Sequence, residues 1–336
     1  MDLASKRTAK GASVLVTCDA DTQARGLLSE ALSAGTPLTF LNDLPTDRRP
    51  AALKGAEALI SWNVAKELRN EDWPLLEGLG LLHLVSAGAD HLPFAHIPPG
   101  TLIAANAGAY AEPMAEHALA LVLALAKRLC LQHGELQRGR FDQDTPNRML
   151  SGENCAILGF GGIGRATARL ARAFGMRILA INRSGRSGEA VDFVGSLADL
   201  EYVLRSASVV VIALPLTVAT CGLIGRRELE WMASDAILMN VARAAIVQQD
   251  ALYQHLVTHP RFMAGLDAWW VEPFSQDTFR LDHPFLELPN VLGSPHNSGV
   301  VSGSLAVGMR RAGENVRRYL DGTPSAGVVE RKDYLG

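Results

Sequence analysis

The stretch AILGFGGIGRATARLARAFG holds Gly159, Gly161 and Gly164 in Gly-x-Gly-x-x-Gly spacing, directly after an apolar run and directly before an amphipathic one. No other feature constrains the fold as tightly. The first glycine permits a tight turn, the second lets backbone approach a pyrophosphate, and the third lets a helix pack closely against a strand. Gly162 and Ile163 complete the turn, at a helix N-terminus whose partial positive charge suits a phosphate. A glycine triplet is weak alone in a chain with 31 glycines, but strand, turn, helix and strand in succession point to a dinucleotide site.

The same rhythm runs along the chain. From Gly152 onward CAIL, RILAIN, SVVVIAL, AILMNVA, AGLDAW and NVLGSP alternate with connectors long enough for helices, which predicts βαβ units and a parallel sheet. A weaker series upstream, SVLVT, PLTFLN, EALISW, LLHLVS and TLIAAN, predicts a second, smaller α/β domain. Between them AEPMAEHALALVLALAKRL predicts a helix buried on most sides, where the chain crosses between domains. A last amphipathic helix, SLAVGMRRAGENVRRYL, is expected to stop at Asp321-Gly322 and to return to the first domain.

Composition agrees with two domains, since 336 residues at about 150 per domain give roughly that number. Apolar residues make up 48% and charged ones 20%, a globular balance. With 32 basic and 35 acidic residues the net charge is −3, so no basic field is available for a nucleic-acid backbone. The longest charge-free apolar run, residues 118–126, is far short of the roughly 20 residues a spanning helix needs, so no membrane partner is expected. The opening MDLASKRTAKGAS is basic, but the apolar stretch after it is too short for a signal peptide, and a cytoplasmic location is expected. Cys18, Cys130, Cys155 and Cys221 form no C-x-x-C pair and are expected to be small core residues. His255 and His259 lack an accompanying acidic ligand and are read as surface residues, so no metal is expected; Arg310, Arg311, Arg317 and Arg318 are read as a solvated helix face.

The strand RILAIN ends in Asn182, where a carboxylate would accept hydrogen bonds from the ribose hydroxyls of NAD. Arg183, Ser184 and Arg186 follow, a cation-plus-hydroxyl set suited to a 2′-phosphate. NADP is therefore favoured, with NAD the other option.

Three more segments fall at the ends of predicted strands, where open α/β sheets place their ligand crevice: NVARAAIV with Arg243, GLDAWWVEP with Asp267 and Glu272, and SPHNSG with His296. These residue types suit carbonyl reduction. Hydride arriving at carbon pushes negative charge onto oxygen, which calls for a proton donor and a cation. His296 is the best donor, a neighbouring carboxylate would stabilise its imidazolium, and Arg243 offers a planar fork for a substrate carboxylate.

Together with the glycine turn, these ordered Arg, Glu and His motifs resemble the D-isomer-specific 2-hydroxyacid dehydrogenase family, from about Ser86 to the C-terminus and more weakly before it. The resemblance implies a doubly wound Rossmann domain, 106–297, inserted in a smaller flavodoxin-like substrate domain, 1–105 with 298–336, closing on cofactor and substrate in the cleft. It pairs Glu272 with His296, gives the substrate carboxylate the amides of Ala87 and Gly88 in LVSAGADHL, and makes Asn106 and Gly108 a hinge, with no chemistry for Glu116 or His117. Asp267 would orient the nicotinamide or its ribose, Leu214 and Pro215 of ALPLT would touch the nicotinamide half, Val241 and His296 would also line the cofactor site, and Thr220 would help hold the pyrophosphate.

The implied reaction is reduction of a small 2-keto acid of the glyoxylate or hydroxypyruvate type by NAD(P)H, in a homodimer to which the apolar helix around 118–126 contributes. Two departures stand out. Ala244 follows the arginine where the family commonly has glycine, and Trp269 and Trp270 are bulky enough to shape a pocket, though such a pair is more often core. The competing readings are a non-catalytic dinucleotide-sensing protein like the related corepressors, and a phosphite or formate dehydrogenase, the formate type usually having glutamine where Glu272 stands.

Overall fold

The computed structural model describes residues 13–335, so the basic N-terminal stretch considered above lies, but for Ser13, outside the described residues. The chain forms two compact units, one ending at Tyr110 and resuming at Ser302, the other spanning Ala111–Val301.

The first unit is a parallel sheet of β1 (Ser13–Val16), β2 (Leu38–Phe40), β3 (Ala56–Ser61), β4 (Leu81–Leu84) and β5 (Leu102–Ala105) in the order β2-β1-β3-β4-β5, a flavodoxin-like winding. All four residues of β4 are buried, as expected for a strand covered by helices on both faces. Asp21 caps the helix Thr22–Ala31 by accepting from Ala24 N at 2.8 Å. The C-terminal helix Ser304–Leu320 packs beside it, ending at Asp321 with Gly322 at φ 71°. Arg310, Arg311, Arg317 and Arg318 are exposed on that helix. The unit extends past the expected boundary at 105 because Asn106 Nδ2 donates to the carbonyls of Val85 and Gly308, and Tyr110 Oη donates to Val85 O at 2.8 Å.

The second unit has seven parallel strands: β6 (Asn154–Leu158), β7 (Arg177–Ile181), β8 (Phe193–Gly195), β9 (Val209–Ile212), β10 (Ile237–Asn240), β11 (Met263–Leu266) and β12 (Val291–Gly293). Their order, β12-β11-β10-β9-β6-β7-β8, is the doubly wound Rossmann pattern with its reversal between β6 and β9. The short edge strand β8 is absent from the sequence reading, so β9 is the fourth strand of this unit rather than the third.

The helix Ala111–Ala126 buries Ala115, Ala118, Leu119, Val122 and Leu125 against this unit's own core. That corrects the expectation that it offers its apolar surface to a second copy. The next helix, Leu129–Gln137, buries nothing, and Leu129, Leu136, Phe141 and Met149 stand exposed in and after it. Cys18 and Cys155 are buried, but Cys130 and Cys221 are exposed, against the expectation for those two. His255 is likewise not a surface residue: it is buried, stacks on His259 and meets Phe262 edge to face. No helix among the described residues is long and apolar enough to cross a membrane.

Candidate active site

β10, β11 and β12 are adjacent and parallel, so their C-terminal ends deliver Arg243, Asp267, Glu272 and His296 to one edge of the sheet. Each is held by a specific lock. Asn240, 1% exposed, closes the turn after β10: its Oδ1 accepts from Ala242 N at 3.0 Å and its Nδ2 donates to Arg243 O at 3.0 Å. The half-buried Arg243 guanidinium donates to Ala242 O at 3.0 Å. Ala244 opens the one-turn 3-10 helix Ala244–Ile246 at negative φ, a conformation alanine adopts freely, so glycine is not required there.

Asp267 follows β11 and is fully buried, its amide donating to Asn240 O at 3.0 Å. Its Oδ1 accepts from Ser294 Oγ at 2.6 Å and Asn297 N at 3.2 Å, and its Oδ2 from Ser298 N at 3.2 Å. A buried carboxylate demands such donors, and these tie the loop after β12 to the end of β11. His296 sits in that loop at φ 51°, the left-handed region, and its Nδ1 lies 2.7 Å from Glu272 Oε2. Glu272 Oε1 accepts from Trp269 N at 2.5 Å, while Pro273 after it opens the short helix Pro273–Gln276. The two indoles are core: Trp269 Nε1 donates to Ser294 O at 2.8 Å and Trp270 Nε1 to Val247 O at 2.9 Å.

The glycine turn joins β6 to the helix Gly162–Ala173 at the reversal point of the sheet. Gly159 has φ 103° and a Cβ on it would fall 2.4 Å from Ala213 O, at the end of β9; a Cβ on Gly164 would fall 2.1 Å from Gly159 O. The protein's own packing therefore requires both. A Cβ on Gly161 would meet no atom within 4 Å, and Gly161 and Gly162 are exposed at the helix N-terminus. That leaves open backbone where a pyrophosphate would approach, and the residues present fit a dinucleotide.

Several candidate contacts are rearranged. Asn182 and Ser184 brace the loop after β7: Asn182 Nδ2 donates to Arg186 O at 2.8 Å, and Asn182 Oδ1 accepts from Ser184 N at 3.0 Å and Oγ at 3.1 Å. Arg183, Ser184 and Arg186 are exposed there, while Asn182 is half-buried. Thr220 is buried, its hydroxyl donating to Pro215 O at 2.6 Å and accepting from Thr217 N at 2.9 Å. It shapes the turn after β9 and does not reach for a phosphate, whereas Pro215 is exposed and Leu214 half-buried in that turn. The Val241 side chain is 1% exposed in the core, so only its backbone faces the sheet edge. Ile163 packs against the core behind the glycine turn.

In the first unit Ala87 and Gly88 are half-buried just beyond β4, where Ser86 Oγ donates to Gly88 O at 3.1 Å. Asn240 and Ser294, which the sequence did not single out, and His117, which was expected to have no chemistry, matter here: His117 Nε2 lies 2.8 Å from Ser294 Oγ. Their only signal is a polar side chain at an otherwise apolar strand end or helix face. Among the described residues no group of three or more His, Cys, Asp or Glu side chains is placed to hold a metal ion.

The doubly wound sheet with its glycine turn defines a dinucleotide-binding oxidoreductase domain. A model of the D-isomer specific 2-hydroxyacid dehydrogenase NAD-binding domain matches residues 119–298, more than half of the chain. The chain belongs to the D-isomer-specific 2-hydroxyacid dehydrogenase family.

It is 31% identical over 207 residues to a hydroxypyruvate reductase of Thermotoga maritima, spanning 61% of this chain and 64% of that protein. It is 32% identical over 241 residues to a glyoxylate reductase of Aeropyrum pernix, spanning 69% of this chain and 70% of that one. Among solved structures, a family protein from Aeromonas salmonicida subsp. salmonicida A449 matches with a TM-score of 0.79 at 26% identity, covering 96% of this chain and 99% of that one.

Proposed function

We propose that the protein is an NAD(P)H-dependent reductase converting a small 2-keto acid, of the glyoxylate or hydroxypyruvate type, to its D-2-hydroxy acid. The observation that carries this reading is the His296–Glu272 pair at 2.7 Å on the edge of the sheet that also presents Arg243. A pure dinucleotide-binding protein has no need of an acid held this way.

A nicotinamide held by these residues would supply hydride to the keto carbon. His296 donates the proton that the oxygen takes up, and Glu272 stabilises the imidazolium before transfer. Arg243 holds the substrate carboxylate, and its guanidinium also faces the oxygen as charge grows on it. Asp267, fully buried, would act on the nicotinamide end through the loop it holds, Leu214, Pro215 and the Val241 backbone would border that end, and Gly161 with Gly162 would admit the pyrophosphate.

NADPH is the preferred cofactor in this reading, because Arg183 and Arg186 stand exposed beside the ribose position with no carboxylate among Asn182, Arg183, Ser184 and Arg186. The proposed assembly is a cytoplasmic homodimer. Phe141, 79% exposed, and Met149, 69% exposed, with Leu129 and Leu136, form apolar surface suited to a second copy.

The test is a panel of 2-keto acids assayed with NADPH and NADH by nicotinamide absorbance. Turnover of glyoxylate or hydroxypyruvate is expected; no turnover of any 2-keto acid with either cofactor would overturn the proposal.

A further inference from the structure

His117 stands on the helix Ala111–Ala126, its side chain 27% exposed, and no step above uses it. Its Nε2 lies 2.8 Å from Ser294 Oγ and 3.6 Å from Asp267 Oδ1. The protons along this chain can be counted. Asp267 accepts from the amides of Asn297 and Ser298, whose hydrogens are fixed on nitrogen, and its Oδ1 lies 2.6 Å from Ser294 Oγ. A serine hydroxyl has a single proton, and a short contact to a carboxylate oxygen is where that proton goes. Ser294 can then only accept from His117, so His117 carries its proton on Nε2 and donates it.

We infer that His117 is a positioning residue for the reaction. Its Nε2–H orients the Ser294 hydroxyl, Ser294 orients Asp267, and Asp267 holds the amides of Asn297 and Ser298 that keep His296 in its left-handed conformation. An apolar side chain at 117 would pack on this helix but would leave Ser294 without the donor that fixes its rotamer, loosening the loop that carries the acid. The inference rests on the reading of His296 as that acid.

The experiment combines kinetics with a measurement that does not depend on turnover. His117→Ala is expected to lower kcat about tenfold to a hundredfold, the scale of a slightly misplaced catalytic group. The keto-acid KM and the cofactor Kd are expected to stay within about threefold. His117→Gln, which returns an N–H donor near the Nε2 position, should recover most of the loss. The double variant His117→Ala with Ser294→Ala should be no slower than Ser294→Ala alone, because the two act in series. Nitrogen-15 NMR of the wild-type protein at mildly alkaline pH should show neutral His117 protonated on Nε2.

Losses that multiply in the double variant, equal impairment of the Ala and Gln variants, or an Nδ1-protonated ring would each overturn the inference. A wild type that reduces no keto acid would instead overturn the functional reading, leaving the tautomer to decide the hydrogen-bond chain by itself.

Discussion

His296 Nδ1 and Glu272 Oε2 meet at 2.7 Å although 24 residues separate them. Adjacent parallel strands β11 and β12 bring the two loops together, and Glu272 is already oriented by Trp269 N on its other oxygen. The side chains are 28% and 12% exposed, so solvent screens their attraction less than it would on an open surface. The left-handed backbone at His296 costs on the order of 1 to 3 kcal/mol in a residue other than glycine, offset by the two amides that follow it binding Asp267.

That backbone decides which substitution tests the acid. Asparagine tolerates the left-handed region, so His296→Asn should keep its melting temperature within a few degrees and its cofactor affinity nearly intact. Its kcat should fall by about 10²- to 10⁴-fold, the range for loss of a general acid. Glu272→Gln should be slower than wild type by a smaller factor, since the proton donor remains. Equal loss of cofactor binding and turnover in His296→Asn, measured by fluorescence titration beside steady-state rates, would mark His296 as structural.

The glycine turn separates folding from binding. Gly164→Ala would drive a methyl to 2.1 Å from Gly159 O, so it should destabilise the second unit by several kcal/mol or prevent its folding. Gly161→Ala has open space and φ −86°, so its thermal midpoint should not move, while dinucleotide affinity falls by about tenfold or more. Calorimetry and cofactor titration on both variants check this, and unchanged affinity in Gly161→Ala would remove the pyrophosphate from that spot.

Cofactor choice should reside in two arginines. Because Asn182 and Ser184 are committed to closing their loop, Arg183→Ala and Arg186→Ala should each lower kcat/KM for NADPH while leaving that for NADH within about twofold. Each loss should be about tenfold, the size expected for a charge-assisted hydrogen bond to phosphate. A wild-type preference for NADH would reverse the assignment.

Acid should destabilise the first unit through His83. This residue lies 1% exposed within β4 with no hydrogen-bond partner on Nδ1, and burial pushes its pKa from 6.5 down to about 4. The unfolded chain then binds more protons than the folded one between those values. Stability is complete above about pH 6.5 and falls as pH drops toward 4, by on the order of 3 kcal/mol in all. His255, also pushed down to about 4 by burial and by His259, adds in the same direction in the second unit. Urea midpoints at pH 7 and pH 5 should differ less in His83→Leu than in wild type; identical differences would exclude His83 as a source.

Among the described residues eleven of the twelve strands were legible because continuous apolar runs are what a sheet covered on both faces demands, and the glycine spacing marked where one of them turns into a helix. β8 was not, since three residues at a sheet edge leave no run to read. Arg243, Glu272 and His296 stood out as residues of the right chemistry at strand ends, but Asn240, Ser294 and His117 did not. A polar residue acquires such a role only from its partner, and 177 residues separate His117 from Ser294.

The sequence by itself determined the alternation of strands and helices and the glycine cradle, because apolar periodicity and backbone freedom are local properties, and its ordered motifs carried the resemblance to the family. Only the tertiary structure decided that the Thr220 hydroxyl turns inward, that Asn182 folds its own loop, and that His117 meets Ser294. Hydrogen bonds depend on distances of a few tenths of an ångström between segments remote along the chain, and those distances exist only once the strands have paired.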